Sequence, residues 1–195
     1  MELWHAWACP YCMRVRVALA EKGIPYRSRE IDLSAKPPDL LGLNPKGAVP
    51  VLVDGPDVVV GSLEILEHLC KRWPEPPLFP ARAGHDAVVK AYDRIDALFG
   101  PHIPKIARGT PEERVQALGA VRRSMGELDA EVPGSGFLLG ELSVADLALA
   151  SVMAKLPPDW RPTQLGFEGL ARWERAVMRR PTVREQTGPK LAMAV

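Results

Sequence analysis

The sequence predicts an α/β N-terminal domain followed by an all-helical C-terminal domain. Three observations support this prediction. Short β-branched and apolar runs alternate with helical patterns in the first part of the chain, a proline-rich segment then interrupts every regular pattern, and helical periodicity prevails after it. We therefore expect domains at residues 1–75 and 85–195, joined by a linker at residues 76–84.

The N-terminal domain begins with a strand and a helix. Residues 2–6 (ELWHA) are apolar and aromatic, as in a short strand, and the helical pattern that follows continues to Gly23, a residue that commonly ends helices. A weaker strand pattern at residues 25–33 comes next, and a loop follows it. A strand, a helix and a second strand in this order predict a right-handed crossover between parallel strands.

The rest of this domain reads as a hairpin and a helix. Two β-branched runs, VPVLV and DVVVG, flank Asp54, Gly55 and Pro56, which predicts a hairpin. A helix is predicted from Ser62 to about Trp73, with leucines along its apolar side. The crossover and the hairpin together predict a four-stranded mixed sheet covered by helices.

Amphipathic helices are predicted throughout the C-terminal domain. The apolar residues at helical spacing are Val88, Tyr92, Ile95 and Phe99, then Val115, Leu118, Val121, Met125, Leu128 and Val132, and in a last helix Leu170, Trp173 and Val177. Between Leu142 and Lys155 the only charged residue is Asp146, so this segment should be the central buried helix. Ser143 at the N-cap and Asp146 three residues later predict a capping box, which stabilises the fold.

Composition bounds the class of protein and its partners. The chain has 195 residues, is 47% hydrophobic, and carries 25 Lys and Arg against 24 Asp and Glu, for a net charge of +1. A net charge this close to zero gives no electrostatic field that would attract nucleic acid or anionic lipid. No basic leader with an apolar segment precedes Cys9, and no apolar run reaches the roughly 20 residues that span a bilayer. We expect a soluble cytoplasmic protein that binds neither nucleic acid nor membranes.

The segment CPYC lies where the first strand gives way to a helix. With Cys9 at the N-cap and Pro10 as the first helical residue, backbone N–H groups and the helix dipole favour the thiolate, which predicts a lowered pKa for Cys9. Cys12 lies one turn further and is placed to resolve a mixed disulfide on Cys9. Arg14 and Arg16 add positive charge near the cysteines, or they only form the solvated face of this helix; we favour the solvated face and assign them no role.

Two other interpretations of the cysteine pair stay open. A zinc or iron–sulfur site needs more ligands, and the nearest candidates, His68 and Cys70, fall on a predicted core helix. The second interpretation is a pair of inert core cysteines. The order strand, CxxC, helix favours redox chemistry over both, so no metal is expected, and Cys70 alone is expected to be a buried apolar residue.

Four segments together resemble the glutathione transferase superfamily. These are CPYC after the first strand, NPKGAVPVL before the hairpin, GSLEILEHL at the next helix and FLLGELSVADLALA in the helical half. The resemblance implies a thioredoxin-like N-terminal domain, an all-α C-terminal domain and glutathione as co-substrate. A cysteine at the first helix is similar to the two-domain bacterial glutaredoxins and to omega-class transferases, unlike the classes that use Tyr or Ser.

The same resemblance implies roles for further residues in binding glutathione. Val49 and Pro50 should form a loop with a cis-proline whose preceding backbone pairs with the cysteinyl part of glutathione. Ser62 falls where the γ-glutamyl carboxylate binds, with ordinary N-capping as its alternative role. Lys36 matches a lysine that meets the glycyl carboxylate; its alternative is an exposed loop lysine, with Lys46 as the nearby substitute.

Aromatic residues and one substitution complete the predicted site. Tyr11 is expected to contribute to the glutathione site. Trp7, Tyr11, Tyr92 and Trp160 are candidates for a second-substrate pocket, with core packing as the alternative for each. Gly61 stands where the family usually has Glu or Gln, which implies a weaker contact with the γ-glutamyl group or a different thiol substrate.

Three functions follow from this resemblance. The first is a glutathione-dependent thiol–disulfide oxidoreductase that reduces glutathione mixed disulfides or protein disulfides through Cys9 and Cys12. The second is an omega-like transferase acting in thioltransfer, dehydroascorbate reduction or removal of glutathione from small molecules, with Cys12 dispensable. The third is a non-enzymatic binding module on the same fold. Both monomers and homodimers are compatible with the sequence.

Overall fold

In the computed structural model, residues 1–188 are described, and the chain divides into two compact units. The first unit contains Met1–Leu78 and the described residues from Glu185 onward, and the second contains Phe79–Arg184. The predicted helical domain extends to residue 195, and its residues 189–195 lie outside the described part. The domain limits at residues 75 and 85 stay a prediction.

The first unit contains the predicted four-stranded mixed sheet. Its strands are β1 (Glu2–His5), β2 (Arg27–Glu30), β3 (Val51–Asp54) and β4 (Asp57–Val60). The spatial order is β2, β1, β3, β4, with β1 parallel to β2 and antiparallel to β3. The crossover and the mixed sheet are thus confirmed.

The hairpin between β3 and β4 has a two-residue turn. Val51 lies opposite Val60 and Asp54 opposite Asp57, which leaves Gly55 and Pro56 as the turn. Gly55 has a φ of 62°, a value that only glycine adopts readily and that the first position of a tight hairpin turn requires. The turn fixes the register of β4, the strand that leads into the candidate site.

Three helices accompany this sheet, one of them at a position where a loop was expected. They are α1 (Pro10–Glu21), α2 (Pro38–Leu43) and α3 (Ser62–Arg72). The short helix α2 begins with a proline at its first turn and buries only Leu40. Six residues with one buried side chain give no periodicity, so the sequence offers no helical signal there.

Arg14 and Arg16 are buried, so the expectation of a solvated face was wrong. Each has a relative exposure of 1%. Helix α1 buries every residue from Cys12 to Leu19, so it has no polar face. The planar guanidinium groups stack on aromatic rings, Arg14 over Tyr11 at 4.7 Å and Arg16 over Trp7 at 4.2 Å. Stacking of this kind makes buried arginine tolerable.

The second unit is helical, as predicted. Its elements are α4 (His85–Phe99), α5 (Ile103–Arg108), α6 (Pro111–Asp129), α7 (Val144–Met153), a 3₁₀ turn (Pro158–Trp160), α8 (Pro162–Leu165) and α9 (Glu168–Val177). A last helix, α10 (Pro181–Thr187), begins in this unit, and its residues from Glu185 onward belong to the first unit. Every residue of α7 is buried, which confirms it as the central helix of this unit.

Val115 departs from the predicted apolar face of α6. Its side chain is 69% exposed, whereas Ala117, Val121 and Leu128 are buried. At about 100° per residue, Val115 lies about 120° around the helix from Val121, outside the buried stripe. The apolar pattern predicts the helix correctly but wrongly places Val115 on its buried face.

The predicted pairing of Ser143 and Asp146 is present at the start of α7. The Ser143 N–H and hydroxyl donate to Asp146 Oδ2 at 2.8 and 2.9 Å. Asp146 Oδ1 also accepts from the Leu138 N–H at 2.9 Å and from Trp173 Nε1 at 3.0 Å. One buried carboxylate therefore fastens a loop, a helix start and α9 together.

Across the described residues, none of the helices combines the length and the apolar character that crossing a bilayer requires.

Candidate thiol active site

The loop after β1 places Cys9 at the start of α1. The Cys9 N–H donates to the Ala6 carbonyl at 3.1 Å, and the Cys9 carbonyl accepts from the Met13 N–H at 3.0 Å. Cys9 is the N-cap with extended backbone, and Pro10 is the first helical residue. The predicted arrangement is confirmed, and the Cys9 sulfur is half-buried at the positive end of the helix.

Local contacts lower the pKa of Cys9 to about 6. The hydrogen bond from the Cys12 side chain contributes most, followed by the N–H groups of Cys12 and Tyr11 and by the charge of Arg16. Together they outweigh burial, which acts in the opposite direction. Cys9 is therefore mainly a thiolate at neutral pH, the form that attacks disulfides.

Cys12 has the opposite character. It is fully buried, and its pKa is raised by burial, by its hydrogen bond to Cys9 and by the negative charge on Cys9. It is therefore a neutral thiol that donates to the Cys9 thiolate. Both cysteines are free, so the pair is in its reduced form. The two thiols therefore differ in ionisation, with Cys9 as the thiolate and Cys12 as its neutral hydrogen-bond donor.

A groove of about 200 Å³ lies in the first unit, and Tyr11 of the CPYC segment forms part of its wall, whereas neither Cys9 nor Cys12 is among the residues that line it. The lining residues are Tyr11, Ala48, Val49, Pro50, Val60, Gly61 and Ser62. Four of the five residues predicted to bind glutathione, Tyr11, Val49, Pro50 and Ser62, therefore share one concavity. The Val49–Pro50 peptide is cis, as the resemblance implies. Tyr11 is 38% exposed at the edge of the groove, two residues after Cys9.

Ser62 is the first residue of α3, and Gly61 is the N-cap. The alternative role of Ser62 as an N-cap was therefore wrong. Gly61 has a φ of 105°, which side chains rarely adopt. A Cβ atom at this position would lie 2.8 Å from the Glu64 Cδ atom, so the Glu64 side chain already fills that space. A carboxylate thus lies over Gly61 although the residue there has none.

Lys36 is outside the groove lining. It is exposed, and its side chain lies over Gly47: a Cβ atom there would be 3.2 Å from Lys36 Nζ. Lys46 is also exposed. Buried Asn44, which the sequence did not single out, shapes this loop by donating from Nδ2 to the Ala48 carbonyl at 2.9 Å. The Lys36 side chain therefore lies against the loop that precedes Val49.

The remaining aromatic candidates occupy different surroundings. Trp7 is half-buried and stacks on Arg16. Tyr92 is only 2% exposed, so it belongs to the helical core of the second unit. Trp160 is half-buried in the 3₁₀ turn of the same unit. Core packing therefore accounts for the position of Tyr92, and Trp7 packs against Arg16 in the loop before Cys9.

A larger concavity lies in the second unit and carries different chemistry. Its volume is about 470 Å³, and it is lined by Arg161, Thr163, Glu174, Arg175, Met178, Arg179 and Arg184. The described residues of its lining include no thiol and no histidine, so they offer no nucleophile for disulfide exchange. The groove beside the CPYC segment is therefore the candidate active site.

No cluster of three or more His, Cys, Asp or Glu side chains suited to a metal ion occurs in residues 1–188. His68 Nε2 lies 3.0 Å from Asp54 Oδ2, which also accepts from Arg72. Cys70 is half-buried rather than fully buried, and burial raises its pKa. Of the two side chains considered as additional metal ligands, His68 therefore contacts a carboxylate, and Cys70 lies half-buried on α3.

Sequence comparison finds one protein family and several individual proteins that are similar to this chain. Residues 3–77 match the family described as glutathione S-transferase, N-terminal domain. The stringent starvation protein A homolog of Haemophilus influenzae is 34% identical over 164 residues, which cover 81% of this chain and 73% of that protein. Glutathione S-transferase U1 of Arabidopsis thaliana is 33% identical over 147 residues, covering 72% and 64%.

Solved structures agree with the sequence matches. The crystal structure of glutathione transferase Omega 3C from Trametes versicolor aligns with a TM-score of 0.80 and 25% identity, covering 97% of this chain and 89% of that one. A Tau class transferase from mango aligns with a TM-score of 0.82 at 23% identity, which indicates a shared fold. The chain belongs to the glutathione transferase superfamily, with a thioredoxin-like N-terminal domain and a helical C-terminal domain.

Proposed function

We propose that this protein is a glutathione-dependent thiol–disulfide oxidoreductase that reduces glutathione mixed disulfides or protein disulfides. The observation that carries the proposal is the Cys9 thiolate, stabilised at the start of α1 beside a groove that contains Pro50 and Ser62. A nucleophile with a pKa near 6 is ionised at neutral pH without a separate base.

The first step is attack by the Cys9 thiolate on the glutathionyl sulfur of a mixed disulfide. A new S–S bond forms between Cys9 and glutathione while the substrate S–S bond breaks. The substrate sulfur leaves with the electron pair and takes a proton from solvent. The substrate is reduced to its thiol, and Cys9 now carries the oxidised equivalent.

The second step resolves the Cys9–glutathione disulfide by one of two thiols. A second glutathione thiolate attacks the bound glutathionyl sulfur, which releases oxidised glutathione and restores the Cys9 thiolate. Alternatively Cys12 loses its proton and attacks Cys9, which releases glutathione and forms the internal disulfide. Two of the three influences that raise the pKa of Cys12 come from Cys9, so neutralising Cys9 in the first step makes Cys12 easier to ionise.

The groove offers suitable groups for the peptide part of glutathione. Within residues 1–188, the Val49 N–H and carbonyl form no hydrogen bond to another group of the protein, so both can pair with an extended ligand. Ser62 opens α3, whose first N–H groups suit a carboxylate. Membership in the superfamily supports glutathione as this ligand.

The test compares two substrates in the Cys12→Ser variant. The monothiol route needs only Cys9, so we expect the variant to keep the reduction of small glutathione mixed disulfides and to lose the reduction of protein disulfides. Cys70→Ser is the matched control, since it removes a thiol outside the groove. Loss of both activities in Cys12→Ser, with the fold intact by circular dichroism, would contradict the proposed division of roles.

A second candidate is an omega-like transferase that uses Cys9 alone. The structural match to an omega transferase favours it, as does the complete burial of Cys12, which slows any reaction at that sulfur. Unchanged rates for both substrates in Cys12→Ser would favour this function. In either case, three free cysteines fit a reducing compartment, and we infer that the protein acts in the cytoplasm.

A further inference from the structure

Arg16 is a buried cation whose hydrogen bonds, among the residues that the structure describes, end on uncharged acceptors. Nε donates to Gln186 Oε1 at 3.1 Å. Nη1 donates to His5 Nδ1 at 3.3 Å and to the Ala6 carbonyl at 3.5 Å. Nη2 donates to the Trp7 carbonyl at 3.2 Å and the Gln186 carbonyl at 3.4 Å. Because arginine can only donate, His5 Nδ1 must accept, so this histidine is neutral.

The guanidinium of Arg16 has no carboxylate within ion-pair distance among residues 1–188. A fully buried charge without a counter-ion is costly, because it gives up its hydration without an opposite charge in return. The hydrogen bonds satisfy its donors and leave its charge unbalanced. A nearby anion is therefore expected.

Four titratable groups act on Arg16 through their charges: Cys12, Tyr26, Cys9 and Glu30. Burial raises the pKa of both Tyr26 and Cys12, so these two are neutral at physiological pH. Glu30 is exposed at the end of β2. Among these four groups, Cys9 is therefore the one that is both ionised and partly buried.

We propose that Arg16 is a positioning residue for Cys9, which holds the loop before this cysteine and provides the counter-charge of its thiolate. The inference rests on the proposed function only in taking Cys9 as the reacting thiol. The carbonyls of Ala6 and Trp7 both accept from Arg16, and the Trp7 ring lies under its guanidinium. The Ala6 carbonyl also accepts from the Cys9 N–H, so one carbonyl joins Arg16 to the cysteine backbone.

Gln186 completes the surroundings of Arg16 from the far end of the described chain. Its side chain and its carbonyl both accept from the guanidinium, and both are neutral. A carboxylate here would compete with the thiolate for the same cation. Gln186→Glu is therefore a sharp variant: it preserves the shape, adds an ion pair to Arg16 and should still make Cys9 a weaker acid.

The experiment measures the rate of Cys9 alkylation by iodoacetamide against pH, with the modified cysteine identified by peptide mass. We expect the midpoint near pH 6 to rise in Arg16→Gln, which loses both the charge and the contacts with the loop before Cys9, and to rise in Gln186→Glu as well. Arg16→Lys keeps the charge and should lie between Arg16→Gln and the unmodified protein. Arg14→Gln is the matched control, since Arg14 is equally buried on the same helix and should leave the midpoint near 6.

Two outcomes would overturn the inference. The first is an unchanged midpoint in both Arg16→Gln and Gln186→Glu. The second is an equal rise in Arg14→Gln, which would mean that any lost buried arginine has this effect. If Arg16→Gln fails to fold by circular dichroism, Gln186→Glu decides, because it removes no packing. Alkylation by iodoacetamide needs no glutathione, so the two failures can be told apart. If only the proposed function fails, Cys9 keeps its low alkylation midpoint but does not react with glutathione disulfides.

Discussion

Cys9 and Cys12 lie one helical turn apart, yet their pKa values are shifted in opposite directions because their surroundings differ. Cys9 lies at the end of a loop, half-exposed, with donors aimed at its sulfur, and its pKa is lowered to about 6. Cys12 lies inside the unit and donates to Cys9, and its pKa is raised. The helix start and the proline predict from the sequence that the pKa of Cys9 is lowered. The burial of Arg16 could not be predicted, since an arginine in a helix is usually exposed.

The acidity of Cys9 should appear directly in a pH profile. Because its pKa is lowered, its thiolate fraction rises as pH increases through about 6 and is nearly complete at neutral pH. A free cysteine with a pKa of about 8.5 would still be mostly protonated there. We expect alkylation of Cys9 by iodoacetamide to follow the lower midpoint. Urea-unfolded protein is the control, and a folded profile identical to it would contradict this account.

Glu64 is a candidate contact for glutathione that the sequence did not single out. Gly61 removes a carboxylate or amide that the family usually has, and the Glu64 carboxylate lies over the same position. We expect Glu64→Gln to slow the reaction of Cys9 with oxidised glutathione by about three- to fivefold, the effect of one exposed ionic contact. Its alkylation by iodoacetamide should stay unchanged. Glu67→Gln, on the same helix, is the control, and equal rates in both variants would show that Glu64 does not contact glutathione.

Among the elements, α7 is the one that the sequence predicts most completely. A nearly uncharged segment with a capping pair at its start indicates a buried helix, and every one of its residues is buried. Helices α2 and α8 are short and start at prolines, so nothing in their sequences separates them from loops. Length and periodicity, rather than propensity, decide which helices can be predicted.

The capping pair of α7 should contribute unequally to stability. Ser143→Ala removes one hydroxyl and should cost about 1 kcal/mol. Asp146→Ala leaves the Leu138 N–H, the Ser143 N–H and Trp173 Nε1 without their buried acceptor, so it should cost about 3 kcal/mol or more. Denaturant unfolding of the full chain measures both values. Equal losses would mean that Asp146 serves only the helix start.

For the whole molecule, the fold follows from the order of its patterns, and the site follows only in part. Strands, crossover, hairpin and central helix are visible in the sequence because each has a period or a turn signal. The groove gathers Tyr11, Val49, Pro50 and Ser62, which are distant in sequence and which only the family resemblance connected. Lys36 lies outside the lining of the groove. The sequence could not predict this, because a lysine in a loop carries no signal that fixes where its side chain lies.

The central claim is that Cys9 exchanges disulfides with glutathione, and intact mass spectrometry tests it most directly. After incubation with oxidised glutathione, the Cys12→Ser variant should gain one glutathionyl group, and the unmodified protein should proceed to the internal Cys9–Cys12 disulfide. Cys9→Ser should show neither product, and Cys70→Ser should behave like the unmodified protein. A Cys12→Ser variant that stays unmodified, or an equal adduct on Cys9→Ser, would contradict the account.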